Sequence, residues 1–264
     1  MSTSSIFSGK WALVTGASAG IGAEIARQLA ARGAKLILTA RRSERLEQLA
    51  AELNASGTET KIVIADLNDR DARQSIYDAT EGAGLTVDVL VNNAGLGQYG
   101  SFYENPVEQE LSMVRVNCEA VVHLTHLFLP RMVERQRGWI LVVASTASFQ
   151  PVPYITTYAA TKVFDRYFAQ GLAAEVARFG IKVTALCPGP TESEFYELAG
   201  ALRFKENVQG TVQVARAGVD ALERGQRTIL PNSRRRWQSF AVRFLPVSFV
   251  TKYIEYFNFH LAVR

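Results

Sequence analysis

A short apolar run at residues 11–15 hands over to Gly16-Ala17-Ser18-Ala19-Gly20-Ile21-Gly22, and residues 23–31 that follow are rich in good helix formers. Strand, glycine turn and helix in immediate succession constrain the fold more than any other stretch. Such a unit belongs to a parallel sheet, because a helix must carry the chain back to start the next strand. The pattern repeats along the chain. Strand candidates lie at 35–40, 61–65, 87–91, 139–144, 181–186 and 227–230. Helix candidates lie at 43–55, 68–80, 106–135, 156–179 and 211–223. Gly33 is placed to end the first helix and Ser43 to cap the second. Alternation on this scale predicts an α/β domain with a sheet covered on both faces, and right-handed crossovers make it a doubly wound parallel sheet. With 264 residues, 48% of them hydrophobic, the chain can fill one such core. No repeat or linker interrupts residues 1–231, which are expected to form one dinucleotide-binding and catalytic domain, with 232–264 as a tail.

In a doubly wound sheet, ligands sit at the carboxyl ends of the strands. The glycine run, Asn92-Asn93, Ser145 and Pro188-Gly189 all fall there. Glycines at 16, 20 and 22 let the backbone approach a pyrophosphate, and the helix N-terminus points free N–H groups at its charge. The same glycines also suit a purely structural tight turn. Between Ser145 and Lys162 lies a second constellation. Tyr158 and Lys162 share one helix face. A free tyrosine has a pKa of about 10, and the ammonium of Lys162 is expected to pull it toward neutral. Such a phenol can give or take a proton, and Ser145 could hydrogen-bond the same reacting oxygen. This points to chemistry at an alcohol or carbonyl oxygen.

Thr15 to Gly22, Asn92-Asn93-Ala94-Gly95, Ser145, Tyr158 with Lys162 four residues on, and Pro188-Gly189 together resemble the short-chain dehydrogenase/reductase family in order and spacing, over about residues 8–231. The resemblance implies a Rossmann-like seven-stranded sheet and an NAD(P)-dependent oxidoreductase. It also implies roles. Tyr158 corresponds to the acid/base, Lys162 to the residue that lowers its pKa and holds the nicotinamide ribose, and Ser145 to the residue that orients the substrate oxygen. Asn117 corresponds to the asparagine of a water-linked proton relay; alone it reads equally as a helix kink or polar contact. Gly16, Ser18, Gly20, Ile21 and Gly22 would cradle the dinucleotide. Asp66 would meet the adenine, though it also suits a helix N-cap. Asn92 and Asn93 would flank the adenosine, though asparagines also serve structurally in strand-end turns. Thr191 would meet the nicotinamide carboxamide, and Ser193 keeps a hydroxyl where the family often has threonine. At the end of the second strand, where NAD enzymes place an acid, stand Ala40, Arg41 and Arg42. Two guanidiniums there resemble NADP(H) users, since they can bind a 2′-phosphate.

The expected reaction is NADPH-dependent reduction of an apolar ketone or aldehyde, or the reverse. The alternatives are a non-catalytic NADP-binding regulator and a membrane-docked reductase of lipid or 3-oxoacyl substrates. Tyr99, Phe102, Phe149, Pro151, Val152, Pro153, Tyr154, Phe195, Tyr196 and Leu198 are candidates for an apolar substrate wall, or simply pack together. His123 and His126 lie three apart on a helix without a third ligand, so packing is favoured over metal binding. Cys118 and Cys187, far apart in apolar sequence, indicate buried thiols and a reducing compartment. MSTSSIFSGK lacks the order of a signal peptide and no apolar run is long enough to span a bilayer, which predicts a cytoplasmic protein. Of the net charge of +4, residues 234–264 hold six basic side chains against the single acid Glu255, so the remainder is slightly negative. That tail mixes arginines with many aromatics. It suits either the interface of a homodimer or homotetramer or a peripheral contact with an anionic membrane. No nucleic-acid fold accompanies the arginines.

Overall fold

A computed structural model gives the fold; it describes residues 5–192, 194, 195, 199 and 208–262, with the side chains at 234, 235, 243 and 257–262 left aside. Ser193, Tyr196 and Leu198, and the tail side chains of Arg234, Arg235, Arg243, Phe257, Phe259, His260, Leu261 and Arg264, therefore lie outside the described residues.

Seven parallel strands form one sheet in the order β3-β2-β1-β4-β5-β6-β7. They are β1 (Trp11–Thr15), β2 (Lys35–Ala40), β3 (Thr60–Ile64), β4 (Val87–Asn92), β5 (Gly138–Val143), β6 (Ile181–Leu186) and β7 (Thr228–Ile229). The helices are α1 (Gly20–Ala30), α2 (Ser43–Ala55), α3 (Arg70–Asp78), α4 (Val107–Val114), α5 (Ala120–Glu134), α6 (Thr156–Glu175), α7 (Thr211–Arg224), α8 (Ser233–Ala241) and α9 (Val247–Ala262). The strands β4 and β5 are buried along their whole length, as a sheet covered on both faces requires. Side chains alternate between two cores. On one face Val14, Leu36, Leu38 and Val91 pack with Ile25, Leu46 and Val219 of α1, α2 and α7. On the other, Leu13, Ile37 and Leu90 pack with Ile76, Leu124, Phe128 and Leu172 of α3, α5 and α6. The expected Rossmann-like doubly wound seven-stranded sheet is thus the observed one.

Of three local expectations, two need correction and one is met. Ser43 is the first residue of α2 rather than its cap; the cap is Arg42, in extended conformation and without a side-chain bond. Gly33 ends α1 as expected: at φ +80° it stands in the left-handed region, its N–H bonds Ala30 O at 2.8 Å, and the N–H of Ala34 reaches back to Leu29 O at 3.1 Å, the glycine-capped close of a helix. The single helix expected over 106–135 is split into α4 and α5 by a π-helical turn, Arg115–Glu119. That turn contains Asn117, which is fully buried.

Where β1 and β4 lie side by side, the chain leaves in opposite directions, and a crevice opens at their carboxyl ends. A polar clasp closes its floor. Thr15 Oγ1 donates to Val91 O at 3.0 Å and accepts from the N–H groups of Asn93 and Ala94 at 2.9 and 3.0 Å. Asn93 Nδ2 donates to Thr15 O at 2.8 Å and to Gly16 O at 3.3 Å. The glycines of the turn are dictated by this asparagine. A Cβ on Gly22 would lie 2.3 Å from both Asn93 Nδ2 and Gly16 O, and Gly16 has φ +65°. Gly22→Ala should therefore destabilise the fold by about 1–3 kcal/mol, the cost of overpacking a site that cannot yield. Urea unfolding measures it; an unchanged midpoint would show that the turn relaxes freely.

Candidate active site

The crevice is a cleft of about 420 Å³ at the carboxyl ends of the strands. Of the residues singled out from the sequence, it is lined by Gly16, Ser18, Gly20, Ile21, Gly22, Arg41, Arg42, Asp66, Asn93, Ser145, Tyr158, Lys162 and Thr191. Asn92 and Asn117 are not in the lining.

The dinucleotide half is built from the glycine turn and the end of β2. The cap of α1, Ala19, contributes no side-chain bond, and the first turn of α1 carries no acid. Its leading N–H groups thus face the cleft and suit a pyrophosphate. Arg42 donates to Ser18 Oγ through Nε and Nη2 at 3.3 and 3.1 Å, and to Glu194 through Nη1 at 2.8 Å. Arg45 pairs with the same carboxylate, and the hydrogen bonds from Arg42 and Arg45 hold Glu194 below its ordinary pKa. Arg41 is exposed in the cleft with no ion pair among the described residues. Asp66 accepts from Asn68 N at 3.0 Å, whereas the cap of α3 is Asp69, which accepts from Asp71 N at 2.9 Å. The helix-capping alternative for Asp66 is thereby removed. Asn92 turns into the core, where Nδ2 donates to Thr125 Oγ1 at 3.0 Å. Of the two asparagines, then, one faces the cleft and the other braces β4 against α5.

The other half brings Ser145 and Tyr158 together. Ser145 follows β5 and caps the 3-10 turn Thr146–Phe149, its Oγ accepting from Ala147 N at 3.1 Å. The Ser145 hydroxyl stands beside the Tyr158 phenol in the cleft lining and works to favour its ionised form. Lys162 lies one turn along α6, its Nζ 5.8 Å from the centre of the Tyr158 ring. Only 4% of Lys162 is exposed, and its ammonium donates to Val143 O and to Asp165 Oδ2, both at 2.9 Å. Asp165, one residue that the sequence reading missed, is 1% exposed. Its position three residues after Lys162 on a helix was the available signal.

These contacts reverse the expectation for Tyr158. Burial raises its pKa, and this outweighs the lowering by Lys162 and by the Ser145 hydroxyl; Asp165 adds to the rise. The phenol is therefore held above its ordinary range, not drawn toward neutral. Burial works to lower Lys162, but the charges of Asp165 and Tyr158 prevail and hold it above its usual range. Burial lifts Asp165 as well, against the charge of Lys162. The lysine nitrogen donates to two oxygens, one of them the Asp165 carboxylate, an arrangement that suits an ammonium and its counter-charge.

Asn117 acts behind this pair. Leu96 N donates to Asn117 Oδ1 at 2.8 Å, and Nδ2 donates to Leu96 O and Thr161 Oγ1, both at 2.9 Å. It ties the π turn to the loop after β4 and to the helix turn that carries Lys162. Thr191 Oγ1 donates to Gly189 O at 2.9 Å. Of the candidate substrate wall, Phe195 lines the cleft, its ring 5.3 Å from that of Tyr158. Phe149 instead packs under the Arg166 guanidinium at 4.2 Å, and Tyr99 and Tyr154 stack on each other at 6.5 Å. The two cysteines are unpaired by disulfide, and burial pushes both thiols up to about 12, far from the range of a reactive thiolate. Among the described residues, no three His, Cys, Asp or Glu side chains could hold a metal ion together.

Comparison with known proteins agrees with this arrangement. A family model for short chain dehydrogenase matches residues 10–201. A very-long-chain 3-oxoacyl-CoA reductase of Anas platyrhynchos is 34% identical over 263 residues, covering 97% of this chain and 82% of that protein. Very-long-chain 3-oxoacyl-CoA reductase-B of Danio rerio is 40% identical over 187 residues, and the match spans 68% of this chain but 59% of that one. Among solved structures, a short-chain dehydrogenase from Sphingobium yanoikuyae in complex with NADPH superposes with a TM-score of 0.82 at 30% identity, over 89% of this chain and 93% of its own. The bulky-bulky ketone specific alcohol dehydrogenase from Comamonas testosteroni gives 0.77 at 28% identity, over 89% and 92%.

The ion pair behind the cleft yields a direct test. Asp165→Ala leaves the Lys162 ammonium buried without its counter-charge and should cost about 3–5 kcal/mol of stability. A melting curve like that of the parent protein would mean that Lys162 finds water instead.

Proposed function

The chain belongs to the short chain dehydrogenase family, and from that premise we propose that it is an NADPH-dependent reductase of an apolar ketone or aldehyde, able to run in reverse as an alcohol dehydrogenase. Oxidoreductase chemistry follows from the family; the cofactor preference, substrate and residue roles are the proposal. The observation that carries it is the pair of hydroxyls, Ser145 and Tyr158, lining one cleft with buried Lys162 behind them and the uncapped end of α1 in the same lining.

A nicotinamide dinucleotide supplies the hydride for such a reaction. The residues present fit it: the N-terminus of α1 would hold its pyrophosphate, and Lys162, in the same lining, would hold the nicotinamide ribose. Tyr158 Oη gives its proton to the carbonyl oxygen as that oxygen gains charge, and Ser145 Oγ donates a hydrogen bond to the same oxygen. The raised pKa of Tyr158 suits this direction, because the proton is present throughout neutral pH. Arg41, exposed in the cleft, supports NADPH over NADH because its guanidinium can bind a 2′-phosphate, whereas Arg42 already pairs with Glu194. An apolar substrate is supported by Phe195 beside Tyr158. The names of the duck and zebrafish relatives favour a 3-oxoacyl thioester as a second reading. For oligomerisation, the exposed stripe of Leu111 and Val114 on α4 with Phe164 and Tyr167 on adjoining α6 suits a second copy of the chain. Two free, unreactive thiols support a reducing, cytoplasmic setting.

An NADPH-oxidation assay over bulky ketones and 3-oxoacyl thioesters tests the proposal. Tyr158→Phe should keep cofactor binding and lose about 10²–10⁴-fold in turnover; retained turnover would sink the assignment. Arg41→Ala should raise the KM for NADPH roughly tenfold or more while sparing that for NADH. For the parent enzyme, reduction should stay flat through neutral pH and fall only in the alkaline range, while oxidation, which needs the phenolate, rises with pH. Asp165→Asn removes a charge that raises the Tyr158 pKa, so the alkaline fall should move to lower pH. A fall that stays in place or moves upward contradicts the role given to that carboxylate.

A further inference from the structure

After β7 the chain folds back over the domain as α8, the 3-10 turn Val242–Phe244 and α9. Each helix turns one side inward, where Ser239 and Val250 are buried. The outward side is aromatic. Trp237 and Phe244 are 73% and 74% exposed, and Phe240 stands between them. The three rings form one edge-to-face row, with centroids 6.5 and 5.2 Å apart. Val247 and Phe249 continue the apolar surface onto α9. Of the 18 exposed large apolar side chains among the described residues, eight lie within residues 237–256, so this is a concentrated patch and not scattered surface. Arg236 and Lys252 are exposed on the same two helices, and Glu255 is the only acid after residue 223.

This combination needs a partner that is apolar beneath and anionic above. A second copy of the chain meets the first condition and not the second. A two-fold contact sets the same patch against itself, and here that would oppose two cationic tails. The α4 and α6 stripe gives self-association a separate face. At 16 residues, α9 is about 24 Å long, short of a bilayer's hydrocarbon thickness, and no described helix is long and apolar enough to cross. Aromatic rings with flanking cations are the combination that lies in a lipid interface.

We propose that α8, the turn and α9 form a docking surface for an anionic lipid bilayer, with Trp237, Phe240, Phe244 and Phe249 inserted and Arg236 and Lys252 at the headgroups. α8 packs against the 3-10 turn that Ser145 caps, so docking brings the Ser145 strand end next to lipid. The proposal does not rest on the reductase reading, because its readout is binding and not turnover.

The full-length protein is sedimented with vesicles of phosphatidylcholine alone and of phosphatidylcholine mixed with phosphatidylserine. It should bind the mixed vesicles, and salt should weaken that binding. Arg236→Ala and Lys252→Ala should each weaken it about fivefold. Trp237→Ser and Phe244→Ser should each weaken it roughly tenfold. Val212→Ser, at an exposed apolar site elsewhere, should leave it unchanged. Melting curves confirm that the variants remain folded. No binding to either vesicle, binding indifferent to phosphatidylserine, or binding untouched by the four substitutions overturns the proposal. So does a Trp237→Ser protein whose only change is a smaller assembly in analytical ultracentrifugation, which would give the patch to a second copy.

Discussion

The clasp between Thr15 and Asn93 is the interaction on which the cleft depends. The sheet by itself sets β1 beside β4, but nothing in a parallel ladder prescribes the shape of the two loops that leave it. Thr15 Oγ1 does so by gathering two backbone N–H groups of the β4 loop, and Asn93 answers by bonding two carbonyls of the β1 turn. Both loops are held at van der Waals distance, which leaves no room for a side chain at Gly22. The uncapped end of α1 then points into the crevice because the turn before it has nowhere else to go. Burying these polar groups is sustainable because each finds a partner.

A second network runs behind the chemistry. It passes from the π turn through Asn117 to Thr161, one residue before Lys162, whose ammonium bonds Val143 O and Asp165. Three segments far apart in sequence are thereby fixed relative to Tyr158. Their common feature is burial, and burial decides the electrostatics. In water, an ammonium near a phenol would lower its pKa. Here Lys162 shares its charge with Asp165, and desolvation of the phenol prevails. The arrangement favours a tyrosine that keeps its proton until a developing negative charge calls for it.

The layers of the fold were legible in the sequence because period and punctuation agree: apolar runs such as 87–91 and 139–144 end at Asn92 and Ser145, and helix formers follow each crossover. The positions that line the cleft were legible for the same reason, since strand ends can be located to within a residue or two. What escaped were choices made by tertiary partners. Nothing local told Asn92 from Asn93; the first turns inward only because Thr125 waits on α5. Asp66 and Asp69 are both plausible caps, and the geometry of the turn before α3 decides for Asp69. Aromatic loop residues read as one wall, yet Phe149 is claimed by Arg166, Tyr99 and Tyr154 stack on each other, and Phe195 faces Tyr158. The Tyr158 pKa was misjudged because spacing reveals a neighbour but not the solvent it has lost.

The π turn between α4 and α5 has a further meaning in terms of helical phase. It holds one residue more than an α-helix would use over the same rise, so everything after it is rotated by about 100°. A chain one residue shorter between Val114 and Ala120 would form a smoother and locally more stable helix. It would also turn the Asn117 side chain away from Leu96 and Thr161 and leave both without their partner. The surplus residue is a defect only by the standard of the helix. By the standard of the cleft it is a phase setting, and losing it would improve local regularity while undoing the alignment of two distant loops.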